Sequence, residues 1–221
     1  MNGRDTILQR LRSGLAHAAA AGFTGVEPPP PPEVWPSDAA GPEELVERFT
    51  SELKLIHGEP VRCGTIDAAR QYLTGLMDAE NWPRIGSVDR PAARELLGGV
   101  ATDRVAWIDG SWQPRQIADL PAGVIVADAL LADTGTCMIT CPTAQDRLMC
   151  YLPPACVVLA RVNQLAPHLP AAWGEIARRT ADPAIRGEFV LVTGPSRTAD
   201  IEKILILGVH GPKRLVVLLV G

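Results

Sequence analysis

Three short stretches hold the side chains that could do chemistry. "TGPSRTAD" (193–200) places Ser196 and Thr198 hydroxyls beside the Arg197 guanidinium, a planar fork suited to a carboxylate or a phosphate. Ahead of them, Gly194 and Pro195 set a turn. "GVHGP" (208–212) places His210, an imidazole that could serve as acid or base, between two glycines. "DTGT" (133–136) places the Asp133 carboxylate in a turn that Gly135 allows to be sharp, flanked by Thr134 and Thr136. A carboxylate or imidazole that moves a proton, next to a guanidinium and hydroxyls that hold an anion, suits a small hydroxy- or keto-acid. Arg147, in "QDRLMCYLPP", is either a second anion contact or a solvated helix charge.

Each stretch also has a plainer reading. Ser196 or Thr198 could only cap a helix, with Asp200 and Glu202 complementing its dipole. Asp133 could close an Asx turn, and His210 could be a hydrogen-bonded turn residue. For a ligand to be held, the elements must place these groups together. The order of an apolar run, the 193–200 turn and "TADIEKILILG" predicts strand, turn, helix. That would set Gly194 to Thr198 at a strand's carboxyl end and a helix's amino end, where unpaired N–H groups and the helix dipole favour an anion.

The other elements follow the same periodicities. Residues 4–20 read as an amphipathic helix with Ile7, Leu8, Leu11 and Leu15 on one stripe. Five consecutive prolines, 28–32, form a stiff connector. Pro42 opens a second helix that ends near Gly58, with Leu45, Phe49, Leu53 and Ile56 on one face. A short strand near 61–63 precedes a helix from Ile66 to about Met77. Strands at 84–89 and 104–109 flank a helix opened by Pro91. "GVIVADALLADTGTCMITC" reads as strand, turn, strand; 157–162 as a buried strand; "PHLPAAWGEIARRT" as a helix; "EFVLVTG" and "RLVVLLV" as closing strands. Strands alternating with helices predict an α/β domain whose sheet is mostly parallel and flanked by helices. The expected organisation is a helix and proline-rich connector over 1–40, then one α/β domain over 41–221.

Composition narrows the partners. A net charge of −4 provides no basic excess for neutralising phosphates, which argues against nucleic acid. No apolar run approaches a membrane span and the first helix is no signal peptide, so a cytoplasmic protein is expected. Five cysteines at C-x3-C, C-x8-C and C-x5-C spacings from Cys137 to Cys156, with Cys63 apart, match no zinc or ferredoxin pattern and read as structural thiols. There is no Walker loop and no GxGxxG, so no metal and no cofactor is expected.

"GPSRTADIEKILILGVHGPKRLVVLLV" and "ADALLADTGTCMITCPTAQDRLMCYLPP" closely resemble two signatures of the lactate-utilisation protein C family, the LUD-domain proteins. "FTSELKLIHGEPVRC" resembles the family's N-terminal helix and strand more loosely. The resemblance implies a fold like that of the CoA-transferase, ribose-phosphate isomerase and glucosamine-phosphate deaminase group. It also implies a part in oxidising L-lactate to pyruvate with partner proteins that carry iron–sulfur clusters. Other readings on the same fold are a non-catalytic scaffold subunit and a stand-alone transferase or isomerase for a small acid, phosphate or CoA ester. Two residues depart from the family pattern: Asp133 stands where glutamate is usual, and Cys156 where histidine is common.

Overall fold

The computed structural model describes residues 3–20, 40–183, 188–199, 205–207 and 211–221. The chain divides into two units, residues 1–37 and 38–221. In the first, helix α1 (Gly3–Ala20) leaves Ile7, Leu11 and Leu15 more than half exposed.

The second unit begins with α2 (Pro42–Leu55), which buries Val46, Phe49 and Leu53 and lays Leu45 and Ile56 against the same core. After it come β1 (Glu59–Cys63), α3 (Ile66–Ala79), β2 (Ile85–Val88), α4 (Pro91–Leu97), β3 (Val105–Ile108), α5 (Pro114–Ala118) and β4 (Ala122–Val126). Then follow β5 (Ala129–Leu131), β6 (Thr136–Thr140), α6 (Ala144–Tyr151), β7 (Ala155–Arg161), β8 (Leu165–Ala166) and α7 (Leu169–Thr180). The last described elements are β9 (Phe189–Val192), β10 (Arg197–Ala199), β11 (Leu205–Leu207) and β12 (Arg214–Val220).

Six strands make one sheet in the order β1-β12-β7-β4-β2-β3, every neighbouring pair parallel. The unbroken apolar run of β12 is explained by its place there: Leu215 to Val220 are all buried, because both sheet faces are covered. On one face lie α3 and α4, through Leu73, Met77 and Leu96. On the other lie α2, α5 and α6, through Phe49, Ile117 and Met149. The α/β class and the mostly parallel sheet are as the sequence predicts.

One feature goes beyond the sequence reading, and one expectation is corrected. Periodicity does not say which sheet a strand joins. Here β5, β6, β8 and β9 leave the parallel sheet and form a second one, ordered β8-β5-β6-β9, in which β6 is antiparallel to both neighbours. The helix expected over 198–208 is not what forms at its described residues. Arg197–Ala199 and Leu205–Leu207 pair as an antiparallel ribbon, Arg197 opposite Leu207. Thr198 and Ile206 are β-branched and the run Leu205-Ile206-Leu207 is continuously apolar, so extended backbone competes with the amphipathic helical spacing.

Candidate functional site

The Asp133–Thr136 turn joins β5 to β6. Its entry is tied down by Ala132 N–H donating to Ala166 O at 2.9 Å and Asp133 N–H donating to Pro167 O at 3.1 Å. Gly135 takes the left-handed backbone, φ 61°, and a Cβ there would lie 2.5 Å from Leu53 N. Gly194, φ 80°, would place a Cβ 2.9 Å from Ile56 O. Both glycine turns therefore close onto the carboxyl-terminal end of α2, where no side chain fits.

That seating brings the two sequence stretches together. Thr136 Oγ1 lies 2.8 Å from Thr193 Oγ1 and donates to Thr134 Oγ1 at 2.8 Å; Thr134 in turn donates to Asp133 Oδ1 at 3.2 Å. Each hydroxyl has one proton to give, so the Thr193 proton is left to point at Thr136. The result is a directed chain, Thr193 to Thr136 to Thr134 to Asp133, that ends on a carboxylate. Thr134 and Thr193 are exposed and Asp133 is half-buried, so solvent reaches both ends.

Pro195 is buried and Ser196 half-buried. The Ser196 amide donates to Pro212 O at 2.8 Å, and a Cβ on Gly211 would come within 3.1 Å of Ser196 Cβ. The amide cradle expected at a helix start is not what forms: this donor is used within the protein, and the backbone continues as β10, which holds Thr198. Arg197 opens β10 and is exposed, with no ion pair among the described residues. Asp200 and His210 lie outside the described residues. Arg147, on α6, pairs with Glu188, so its contact is a surface carboxylate.

The corner's position also differs from expectation. Gly194 follows the carboxyl end of β9, but β9 belongs to the second sheet. Lys213 N–H donates to Pro154 O at 2.8 Å just before β12 and β7 begin, so Ser196, Gly211 and Pro212 lie at the amino edge of the parallel sheet. Three cavities open instead along its carboxyl edge. One of about 490 Å³ lies between the start of α2 and the ends of β7 and β12, and includes Leu45, Val162 and Val220. One of about 520 Å³ includes Asp128, Arg161, Glu175 and Arg179. The third, about 460 Å³, lies outside β2 and β3.

A polar network along this edge was not among the residues singled out from the sequence. Arg179 Nη1 donates to Asp128 Oδ1 at 2.7 Å and its Nε donates to Glu175. Asp128 Oδ2 accepts the Thr140 N–H at 2.6 Å, and Thr140 O accepts from Arg90 Nη2, which also donates to Asp146 at 2.7 Å. Asp146 is buried, and it also caps α6 with Thr143. The capping pattern Thr143-x-x-Asp146 is visible in the chain. Its partner Arg90 is distant in sequence and has no local signal.

Cys63, Cys137, Cys141, Cys150 and Cys156 are free and buried. Burial pushes the Cys156 thiol up to about 12, so it keeps its proton at neutral pH. The neighbouring Cys141 thiol and burial raise Cys150 as well. Among the described residues no group of three or more His, Cys, Asp or Glu side chains could hold a metal ion. No helix among them is long and apolar enough to cross a membrane.

The comparisons with known proteins agree with one another. The LUD domain family model matches residues 46–220. The chain is 33% identical over 231 residues to a lactate utilization protein C from Bacillus pumilus, covering 98% of this chain and 96% of that protein. It is 28% identical over 232 residues to another from an Exiguobacterium species, covering 100% and 96%. Among solved structures it resembles the crystal structure of a DUF162 family protein from Deinococcus radiodurans, with a TM-score of 0.60 at 15% identity over 82% of this chain and 99% of that one.

Proposed function

Because the chain belongs to the LUD domain family, we propose that it works in lactate utilization, as one component of a system that oxidises L-lactate to pyruvate beside iron–sulfur partner proteins. The names and near-complete overlap of its relatives support the pathway. The hydroxyl chain from Thr193 to Asp133 supports the site, because it joins the two signature stretches into one polar corner.

In this reading Arg197 holds the acid's carboxylate, Ser196, Thr198 and Asp200 of the same stretch complete that side of the pocket, and the Thr134 hydroxyl orients the Asp133 carboxylate. Arg197 is an exposed cation with no ion pair among the described residues, so an anion can reach it. Asp133 or His210 takes the proton from the 2-hydroxyl. The two electrons and the second proton released with pyruvate leave to the partner, since this chain contains no redox motif. Gly135 and Gly194 fix the turns, and Thr136 passes the hydrogen-bond chain between them. Asp133 ends one methylene short of the usual glutamate, so substrate must approach the turn more closely, and Cys156 is assigned no proton transfer because its thiol stays neutral.

The test is L-lactate oxidation with a dye acceptor, measured for the purified chain alone and then with its iron–sulfur partners. Turnover that needs both supports the component reading. Turnover by this chain alone makes it the complete enzyme instead, and no response to L-lactate in either state refutes the proposal.

A further inference from the structure

The connections of the parallel sheet mark one crevice. From β1 the chain passes through α3 to β2, and from β2 through α4 to β3, with both helices on one face. From β3 it passes through α5 back to β4, and this helix lies on the opposite face. The chains leaving the neighbouring strands β2 and β3 therefore part to opposite sides, and a gap opens outside their carboxyl ends. Open α/β sheets bind ligands at such a switch point. Here it coincides with the cavity of about 460 Å³, within the size range of small-molecule sites.

The lining chemistry is mixed. Val88 and Ile108, register partners, give an apolar floor, and the residues that follow the two strands are Asp89 and Asp109. Both residues follow paired strand ends, so each contributes a carboxylate to the lining of the crevice. Both stay ionised at neutral pH: Arg94 holds the Asp89 carboxyl below its usual range, and the Ser111 hydroxyl and amide do the same for Asp109. Arg94 is itself steadied over the Trp107 ring, 4.9 Å from its centroid. Arg90 also lines the cavity. Its Nη2 is committed to Thr140 and Asp146, while Nε and Nη1 have no hydrogen-bond partner among the described residues. Asp146 is paired with Arg90 and Asp89 with Arg94, so among the described residues the charge of the lining left without an ion pair is the Asp109 carboxylate, which is negative.

A negative lining repels phosphates and carboxylates. Acceptors at Asp89 and Asp109 beside donors on Arg90 match a group that both donates and accepts, which is a hydroxyl. We infer that this crevice is a binding site for an uncharged polyhydroxylated molecule of sugar or nucleoside size, separate from the corner assigned to the small acid. Asp89 and Asp109 accept from neighbouring hydroxyls, Arg90 donates to a ring or hydroxyl oxygen, and the apolar floor takes the ligand's flat or C–H face.

The experiment titrates adenosine, D-ribose and D-glucose into the full chain, followed by NMR, with adenosine monophosphate as the anionic counterpart. Two variants accompany it. Asp109→Asn keeps an acceptor for Ser111 but removes the charge. Gly110→Leu adds bulk to the cavity lining at a position where a Cβ meets nothing within 4 Å, and its unfolding midpoint is measured beside the wild type. At least one neutral probe is expected to saturate, with binding weakened about tenfold or more in both variants, unchanged by Arg197→Ala, and about tenfold tighter than that of the monophosphate. No saturation by any neutral probe up to about 10 mM, undiminished binding in both variants, or equal binding of the monophosphate would overturn the inference.

Discussion

Substituting Gly135 by alanine tests how the candidate corner is held. At φ 61° a residue with a Cβ pays about 1 kcal/mol for the left-handed backbone. The added carbon would also lie 2.5 Å from Leu53 N and 2.7 Å from Leu53 Cα, against an ordinary contact of about 3.5–4.0 Å. Those atoms are main chain within a helix that buries Phe49 and Leu53, so no side chain can swing aside. Either the turn lifts or α2 retreats by about 1 Å, an overpacking cost of about 1–3 kcal/mol. The sum, about 3 kcal/mol, corresponds to a loss of about 6–12 °C in unfolding midpoint for a domain of this size. Gly75→Ala is the internal control: it sits in α3 with nothing within 4 Å of a Cβ, and alanine should stabilise there by up to about 1 kcal/mol. Urea unfolding of both variants beside the wild type gives the comparison. If Gly135→Ala falls within about 0.5 kcal/mol of the wild type, the turn is not seated on α2 and the reasoning fails.

Other expectations follow from the same geometry. Arg90→Ala leaves the buried Asp146 carboxylate without its cation and should cost about 3 kcal/mol in urea unfolding; a loss under about 1 kcal/mol would place that carboxylate in contact with water. Arg178, then Arg179, hold the Glu175 carboxyl down at about 2, so the stability this group contributes is complete above about pH 4.5 and is lost as the pH falls toward 2. Glu175→Gln should therefore match the wild type more closely at pH 2 than at pH 6, and a constant difference across that range contradicts the assignment. All five thiols should resist a disulfide reagent in the native protein and react once it is denatured, because each is buried; prompt native labelling of Cys156 would show that β7 is open to solvent.

How much of this was legible in the chain depends on the range of the interactions. The segments around Pro42, Ile66, Pro91 and Leu169 read as helices because proline starts and apolar stripes are local signals. The β12 run reads as a buried strand for the same reason. What stayed hidden is set by long-range pairing: β6 and β9 have ordinary strand patterns, and nothing local says they join a second sheet. The 198–207 stretch has both helical spacing and β-branched residues; the spacing predicts a helix, and the pairing of Arg197 with Leu207 shows extended backbone instead. The candidate corner was legible as two stretches, with Gly135 and Gly194 readable as sharp turns. Their meeting place was not, because it depends on the backbone of α2, about eighty residues before Gly135 in the chain. Thr193 was missed because a lone threonine beside a glycine has no signal until Thr136 is placed opposite it.

The central claim is that the stretch from Thr193 to Arg197, met at Thr193 by Thr136 of the Asp133–Thr136 turn, holds a small hydroxy- or keto-acid. Calorimetric titration of L-lactate and of pyruvate into the wild type and into Arg197→Ala measures it directly. The account predicts saturable binding of at least one acid, weakened about tenfold or more by the substitution while the unfolding midpoint stays put. Binding that is absent in the wild type, or equal in the two proteins, would contradict it.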